Sequence, residues 1–297
     1  MRRGSVADLM LFATTLLWAL NFTVSKYILE HGLRPLAYSA VRYSAAALIF
    51  VAITFPRERS LRIARADVLL VAGAVAVLLA NQLSFVYALD FTTATTVALL
   101  FGTLPIFTAL ISSFVGVERL DSRFWIAAAV SFAGVAMVTA GSGGSLSADF
   151  VGDLLALSGA ATWGAYSVAI APLMRRYSPY RLSAVLLVAV SLPLLLLGSP
   201  QIAAEDFDWS VLVWIGFVFA VLGPLVVTNL LWFSAIDRVG PSRAAIFANL
   251  QPFLAAVIAL LLLHEELTRF QVAGGLAIGA GILLSRRQAP EPEPEPT

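Results

Sequence analysis

The sequence predicts an all-α integral membrane protein, with ten transmembrane helices arranged as two inverted five-helix repeats. Three observations support this fold class. The 297 residues are 60% hydrophobic and only 12% charged, which is about half the charged fraction of a soluble domain. The apolar residues form ten blocks, and matching residues recur in the two halves of the chain. The blocks lack the polar and apolar alternation of porin strands, which excludes a porin-type barrel.

Each apolar block is long enough to cross a bilayer. A helix rises about 1.5 Å per residue, so about 20 residues cross a hydrocarbon core of roughly 30 Å. The predicted spans, numbered 1 to 10, cover residues 8–28, 36–55, 67–88, 94–115, 124–140, 152–172, 181–198, 210–233, 243–263 and 270–285. The first block is too long for a typical signal peptide and lacks a clear cleavage site, so we count it as a span.

The distribution of basic residues predicts the orientation in the cell (inner or plasma) membrane. Basic loop residues resist translocation, so they collect on the cytoplasmic side. If the N-terminus is cytoplasmic, fifteen of the nineteen basic residues lie on that side. Only Arg34 and Arg269 lie opposite, while Lys26 and Arg42 fall within spans. Both termini are therefore predicted to be cytoplasmic.

Internal similarity predicts a duplication. An offset of 147 residues aligns Asp90 with Asp237, Pro105 with Pro252, Glu118 with Glu265, Leu120 with Leu267 and Gly134 with Gly281, and an offset of 145 aligns Asp8 with Asp153 and Trp18 with Trp163. We therefore predict a first repeat over residues 1–145, a second over 146–287, and a disordered tail of proline and glutamate over 288–297. Each repeat has five crossings, an odd number, so the two copies enter the membrane from opposite sides.

An inverted repeat has a functional meaning. Two nearly equivalent half-structures of opposite orientation can exchange conformations, so that a central site faces each side of the membrane in turn. This alternating access is the usual architecture of secondary carriers, whereas a channel or an anchor needs no such symmetry.

Several segments carry a family resemblance. They read LLWALNFTVSKY in span 1, AVRYSAAAL in span 2, YALDFTTATTVALLFGTLPIFTALISSFVGVERL around span 4 and FSAIDRVGPSRAAIFANLQPFLAAVIALLLLHEEL around span 9. These segments resemble the two EamA domains of the drug/metabolite transporter (DMT) superfamily. The resemblance implies a ten-helix carrier, generally an exporter or exchanger of small metabolites. It also implies a cavity surrounded by helices 1 to 4 and 6 to 9, with helices 5 and 10 at the periphery.

Spans 1 and 6 contain the first candidate substrate-binding residues. Thr14, Trp18, Asn21 and Ser25 recur at helical spacing and share one face. Polar groups at membrane depth must face a partner helix or a watery cavity. We predict that Trp18 and Asn21, and in span 6 Trp163 and Tyr166, bind substrate. Interhelical hydrogen bonds and core packing are the alternative for each of them.

Four further residues are predicted to contact substrate. They are Asn81 and Tyr87 in span 3, Asn229 in span 8 and Asn249 in span 9. Their carboxamides and phenol can donate and accept hydrogen bonds. Hydrogen bonds to neighbouring helices, or an interfacial position for Tyr87, are equally compatible with the pattern.

Two prolines are predicted to act in gating. Pro105 and Pro252 are repeat mates in spans 4 and 9, and each lacks the N–H that would bind the carbonyl of Phe101 or Ala248. The helices should kink there. Matched kinks can serve as hinges or offer liganding carbonyls, although tolerated packing is the alternative.

Arg42 is the only ionisable side chain well inside a predicted span. It is a natural counter-ion for a carboxylate, and Tyr43 beside it could orient that group. Snorkelling or structural pairing is the alternative. Arg42 has no mate in span 7. Nearer the span ends, Lys26 is predicted to snorkel, with ligand binding as the alternative. Glu265 is predicted to be a solvated loop end or part of a charge latch.

The missing residue types exclude other functions. The chain has no cysteine, no phosphate-binding loop, and no acidic residue in the centre of any predicted span. We therefore predict no metal, no cofactor, no nucleic-acid partner and no enzymatic activity.

The predicted function is secondary transport of small amphipathic metabolites such as amino acids, aromatic compounds or drugs. The protein would move them across the lipid bilayer by efflux or exchange. An intramembrane enzyme on lipid-linked substrates, or a non-transporting receptor or assembly subunit, is the alternative. The oligomeric state stays open.

Overall fold

The computed structural model describes residues 3–116, 120, 122–141, 148–239, 247 and 250–285, and it contains no strand within them. The helices are α1 Arg3–His31, α2 Pro35–Glu58, α3 Val68–Phe91, α4 Ala94–Phe101, α5 Leu104–Phe114, α6 Ser122–Gly141, α7 Ala148–Met174, α8 Pro179–Ala203, α9 Val211–Val221, α10 Thr228–Val239, α11 Gln251–Leu262 and α12 Arg269–Ser285. A 3₁₀ turn, Arg65–Asp67, precedes α3, and a π-helical turn, Leu222–Val227, joins α9 to α10.

Eight helical segments are long and apolar enough to cross a membrane. They are Val6–His31, Pro35–Glu58, Arg65–Phe91, Ala94–Phe114, Ser122–Gly141, Asp149–Met174, Pro179–Ala203 and Val211–Trp232. They correspond to predicted spans 1 to 8. Two shorter apolar helices, Gln251–Leu262 and Arg269–Leu284, stand where spans 9 and 10 are predicted. The protein is thus an all-helical membrane protein, and the count of ten crossings stays a prediction.

Helix packing follows the pattern expected of two related halves. Helix α1 packs on α10 and α11, which belong to spans 8 and 9. Its counterpart α7 packs on α3, α4 and α5, which belong to spans 3 and 4. The remaining major pairs are α2 with α8, α4 with α11, and α6 with α12, and each pair joins corresponding spans. Exchanging the two halves therefore reproduces the same set of contacts.

The α6–α12 interface shows the same correspondence between the two halves in its atomic contacts. A Cβ on Gly134 would lie 2.6 Å from the Gly274 carbonyl oxygen, and one on Gly281 would lie 2.6 Å from the Ala127 carbonyl oxygen. Gly134 and Gly281 are 147 residues apart, and so are Ala127 and Gly274. The absence of side chains lets the two backbones touch at both places.

The expected kink at Pro105 falls at a two-residue turn between two helices. Span 4 divides into α4 and α5 at Gly102 and Thr103, and Pro105 lies in the first turn of α5. That position suits proline, because the first-turn N–H groups have no intrahelical partner anyway. Pro252 takes the matching place in the first turn of α11. Ala248, whose carbonyl Pro252 was expected to free, lies outside the described residues.

Two loops meet at one end of the helix bundle. Asp67 accepts from Arg176 and from the Tyr177 hydroxyl, the latter at 2.6 Å. Glu58 pairs with Arg181, whose Nε lies 2.8 Å from the carboxylate. The α2–α3 loop and the α7–α8 loop are therefore on the same side of the molecule, as an inverted repeat requires.

Candidate substrate site

A buried polar cluster forms where α1, α2 and α9 meet. Arg42 is only 3% exposed, and its Nε donates to the Ala220 carbonyl oxygen at 2.9 Å. Its Nη2 donates to Asn21 Oδ1 at 3.0 Å. Two residues predicted to bind substrate, from different spans, are thus directly bonded. The contact with Ala220 brings the second repeat into the same cluster.

Neighbouring side chains hold Asn21 and Arg42 in place. Ser25 donates to Asn21 Oδ1 at 3.3 Å and shares a 2.7 Å hydrogen bond with the Tyr38 hydroxyl. The Arg42 guanidinium carbon lies 5.5 Å from the centre of the Tyr38 ring and 6.0 Å from that of Tyr43. Aromatic faces carry negative charge density, so both rings favour a cation at this position. On the shared face of span 1, Asn21 is thus the hydrogen-bond acceptor for Arg42, and Ser25 supports Asn21.

Pro224 explains why the Ala220 carbonyl is available. In a regular helix this oxygen would accept from the N–H four residues later, but residue 224 is a proline and has none. The chain passes through the π-helical turn Leu222–Val227 at this point, and such turns are often found at functional sites. Sequence reasoning missed Pro224, although its position four residues after Ala220 was a readable signal.

The same turn also positions Trp18. The Thr228 hydroxyl donates to the Pro224 carbonyl oxygen at 2.7 Å, and Trp18 Nε1 donates to Thr228 Oγ1 at 3.1 Å. The Trp18 ring packs against Trp232, with centroids 5.1 Å apart. One irregular turn of span 8 therefore orients two predicted substrate residues, Arg42 and Trp18.

The second repeat contributes aromatic side chains. Trp163 and Tyr166 on α7 lie 5.4 Å apart by ring centroids and are half-buried. They pack against the same apolar cluster that contains Tyr43. Gly159 and Gly164 allow α7 to approach α4 and α5 closely, since a Cβ there would lie 2.6 Å from the Phe101 ring or 3.0 Å from the Thr108 nitrogen.

Other predicted site residues bond to helices. Asn81 donates to the Gly159 carbonyl oxygen at 2.8 Å, which joins α3 to α7. Asn229 donates to the Leu225 carbonyl oxygen of its own helix at 2.6 Å, and Tyr87 stacks on Phe91. A substrate contact by these three residues stays a prediction. Asn249, also predicted, lies outside the described residues.

Two charged residues near span ends cap helices. Lys26 Nζ donates to the Leu89 carbonyl oxygen near the end of α3 at 2.8 Å. The Glu265 carboxylate accepts from the backbone nitrogens of Ala94 and Thr95 at 2.8 and 2.9 Å. A negative charge is favourable at a helix N-terminus and a positive charge at a C-terminus. Glu265 is therefore a helix cap in the described structure; a solvated loop end was the expectation.

The site has an unbalanced positive charge. Among the described residues, none of the carboxylates lies within 4.0 Å of the Arg42 guanidinium. Four of them, Glu30, Glu205, Asp67 and Glu58, pair instead with Lys26, Arg34, Arg176 and Arg181. The described part of the chain also contains no group of three potential metal ligands. The arrangement suits an anionic or polar organic ligand better than a metal ion.

Comparisons with known proteins agree on one kind of molecule. The EamA-like transporter family matches residues 5–140 and, separately, 150–287. The uncharacterized transporter YvbV of Bacillus subtilis (strain 168) is 26% identical over 287 residues, which cover 93% of this chain and 90% of that protein. The uncharacterized inner membrane transporter YedA of Escherichia coli (strain K12) is 26% identical, covering 93% and 89%. A crystal structure with 20% identity covers 96% of this chain and 99% of its own, with a TM-score of 0.64, and it supports the fold alone.

Proposed function

Because the chain belongs to the EamA-like transporter family, we propose that it is a secondary carrier that moves small amphipathic metabolites by alternating access. Amino acids, aromatic compounds and drugs of similar size are the expected cargo. Efflux or exchange is the expected mode, with both termini in the cytoplasm.

The observation that carries this proposal is the contact between the turn in span 4 and its repeat mate, the start of α11 at Pro252. The break between α4 and α5 lies against the start of α11, since a Cβ on Gly102 would be 3.5 Å from Pro252 Cγ. Broken helices in corresponding positions of two repeats are typical of substrate sites in secondary carriers. We assign gating to Pro105 and Pro252 on this basis.

The side chains of the candidate site support an amphipathic cargo. Arg42 and Asn21 offer charge and hydrogen bonds from the first repeat. Trp163 and Tyr166 offer aromatic surface from the second. A ligand with one polar end and one apolar end would satisfy both.

Transport assays in proteoliposomes test the proposal. Vesicles preloaded with an unlabelled amino acid or aromatic compound should accumulate the labelled form faster than vesicles without protein. Because the chain has no cysteine, a single Ser25→Cys variant reports access to the site by thiol labelling. We expect a membrane-impermeant maleimide to reach this position from both sides, and substrate to change the rate.

Gly73→Cys is the matched control for labelling, because a Cβ at Gly73 would have nothing within 4 Å and the residue faces outward from α3. Substrate should not change its labelling rate. If no candidate cargo moves although ligands still stabilise the protein, the carrier proposal is wrong and a receptor or assembly subunit becomes the better interpretation.

A further inference from the structure

We propose that the cargo carries a carboxylate, which binds the terminal edge of the Arg42 guanidinium, and that Pro224 is the positioning residue that keeps this edge available. The proposal rests on the function proposed above, because it names the chemical class of the substrate at the same site. It assigns to Arg42 the discrimination between acids and neutral analogues.

The hydrogen bonds of Arg42 leave one edge of the guanidinium unused. A guanidinium has five N–H donors on two edges, one formed by Nε and Nη2 and one by Nη1 and Nη2. The first edge is occupied, since Nε donates to Ala220 and Nη2 to Asn21. Among the described residues, none accepts from Nη1. The terminal edge matches the two oxygens of a carboxylate, which arginine binds with two parallel hydrogen bonds.

The surroundings of Arg42 attract an anion. Its described partners are a backbone carbonyl, a carboxamide and two aromatic rings, all of them neutral. A cation in a low-dielectric environment without a counter-charge is costly, and pairing with an opposite charge recovers much of that cost. A bound carboxylate supplies the missing charge, whereas an amide of the same shape does not.

Pro224 keeps the Ala220 carbonyl available to the first edge of the Arg42 guanidinium, the edge formed by Nε and Nη2. With a residue that has an N–H at position 224, the Ala220 carbonyl would accept an ordinary helical hydrogen bond and compete with Arg42 Nε. The guanidinium would then be free to rotate and to lose its preorganised edge. Pro224 has no contact with the proposed carboxylate in this scheme, so it acts only through Ala220 and Arg42.

Arg42 and Pro224 are both departures from the internal repeat. The offset of 145 places Leu187 opposite Arg42, and the offset of 147 places Val77 opposite Pro224. The two residues that lack counterparts are joined through Ala220 in the folded chain. A duplicated scaffold needs neither of them for packing, which favours a role in specificity.

Matched acid and amide ligands test the inference. Purified protein is titrated with 3-phenylpropionate and 3-phenylpropionamide, and with acid and amide pairs of aliphatic and amino-acid type, and thermal stabilisation is measured. We expect the acids to bind about 10- to 100-fold more tightly than their amides, the range of a hydrogen bond to a charged group. Arg42→Gln should bind both members of a pair equally, and Arg42→Lys should recover part of the preference.

Pro224→Ala should weaken binding of the acids several-fold and leave binding of the amides unchanged. Pro193→Ala is the matched control, because Pro193 is also inside a membrane helix but lies in α8. Circular dichroism and size-exclusion chromatography verify that each variant is folded. A general effect of helix irregularity would change the affinity for acids and amides by the same factor, and it would appear in Pro193→Ala as well.

Three results would overturn the inference: equal affinity of wild-type protein for acids and amides, a preserved acid preference in Arg42→Gln, or no stabilisation by any acid. Its failure is distinguishable from failure of the carrier proposal. Wild-type flux of neutral compounds without acid preference would leave the carrier intact and remove the carboxylate site. Acid-selective binding without flux of any compound would leave the carboxylate site intact and remove the carrier proposal.

Discussion

The two repeats present different chemistry to the centre of the protein from related helices. The first repeat offers a hydrogen-bonded network in which Asn21 and Arg42 are the central members. The second offers the aromatic rings of Trp163 and Tyr166, with glycines behind them. The two repeats thus share a scaffold but differ in these side chains. We call the Asn21–Arg42 network the first wall of the candidate site and the Trp163–Tyr166 pair the second wall. A ligand that binds between such walls must itself have two different ends.

The walls also differ in what supports them. The first is held by directional bonds to the π-helical turn of span 8. The second is held by close packing, since Gly159 and Gly164 bring α7 against α4 and α5. Substitutions of the supporting residues should therefore change ligand selectivity in the first wall and protein stability in the second.

The largest expected effect is on stability, at Gly159. A Cβ at this position would lie 2.6 and 2.8 Å from two atoms of the Phe101 ring. Gly159→Val should destabilise the protein by about 1–3 kcal/mol, the usual cost of overpacking. The melting temperature of the purified protein and its abundance in membranes should both fall. Gly73→Val, at an outward-facing position, is the control, and an equal loss there would mean that the packing argument is wrong.

The next effect is on selectivity, at Asn21. Asn21→Asp keeps the shape of the side chain and places a carboxylate beside Arg42 Nη2, which the amide oxygen contacts at 3.0 Å. This internal counter-charge should weaken binding of acids by about 10- to 100-fold while amides bind as before. Titration of the acid and amide pairs measures it. Asn21→Ala separates charge from bond loss, since it removes the bond without adding a charge. Unchanged acid affinity in Asn21→Asp would contradict the proposed carboxylate site.

A smaller effect is expected at Trp163. Trp163→Ala should reduce flux by up to about tenfold, because aromatic contacts contribute about 0.5–1.5 kcal/mol beyond the buried area. Acids and amides with aromatic groups should be affected alike, since the second wall does not sense charge. Flux is normalised to the amount of protein in the membrane, which should be near normal. Wild-type flux, or a loss explained wholly by missing protein, would remove Trp163 from the site.

The smallest effect is expected at Ser25. Ser25→Ala removes one support of Asn21 and one partner of the Tyr38 hydroxyl. A neutral hydrogen bond contributes about 1 kcal/mol net, so affinity for acids should fall by roughly fivefold. Ser167→Ala on α7 is the control, because within the described residues that hydroxyl bonds only to the Trp163 carbonyl oxygen of its own helix. A larger loss at Ser167 than at Ser25 would reverse the proposed division between the walls.

Much of the fold was predictable from local patterns. The lengths of the apolar blocks placed the helices, and spacing alone grouped Trp18, Asn21 and Ser25 on one face. The proline rule located the irregularity in span 4, where a turn at Gly102 and Thr103 separates α4 from α5. Pairing of polar groups was less predictable. Lys26 was expected to snorkel and Glu265 to be a solvated loop end or part of a charge latch. Both bond to backbone groups of helices distant in sequence, which spacing along the chain does not reveal.

The sequence by itself determined the membrane environment, the first eight helical spans and the internal duplication, because composition, periodicity and internal similarity are read directly along the chain. Only the tertiary structure decided what each buried polar group binds. Arg42 meets the carbonyl of Ala220, which lies 178 residues later in the chain, and that carbonyl is free because Pro224 follows it. In an apolar medium every polar group must find a partner, and which partner it finds depends on how the helices pack.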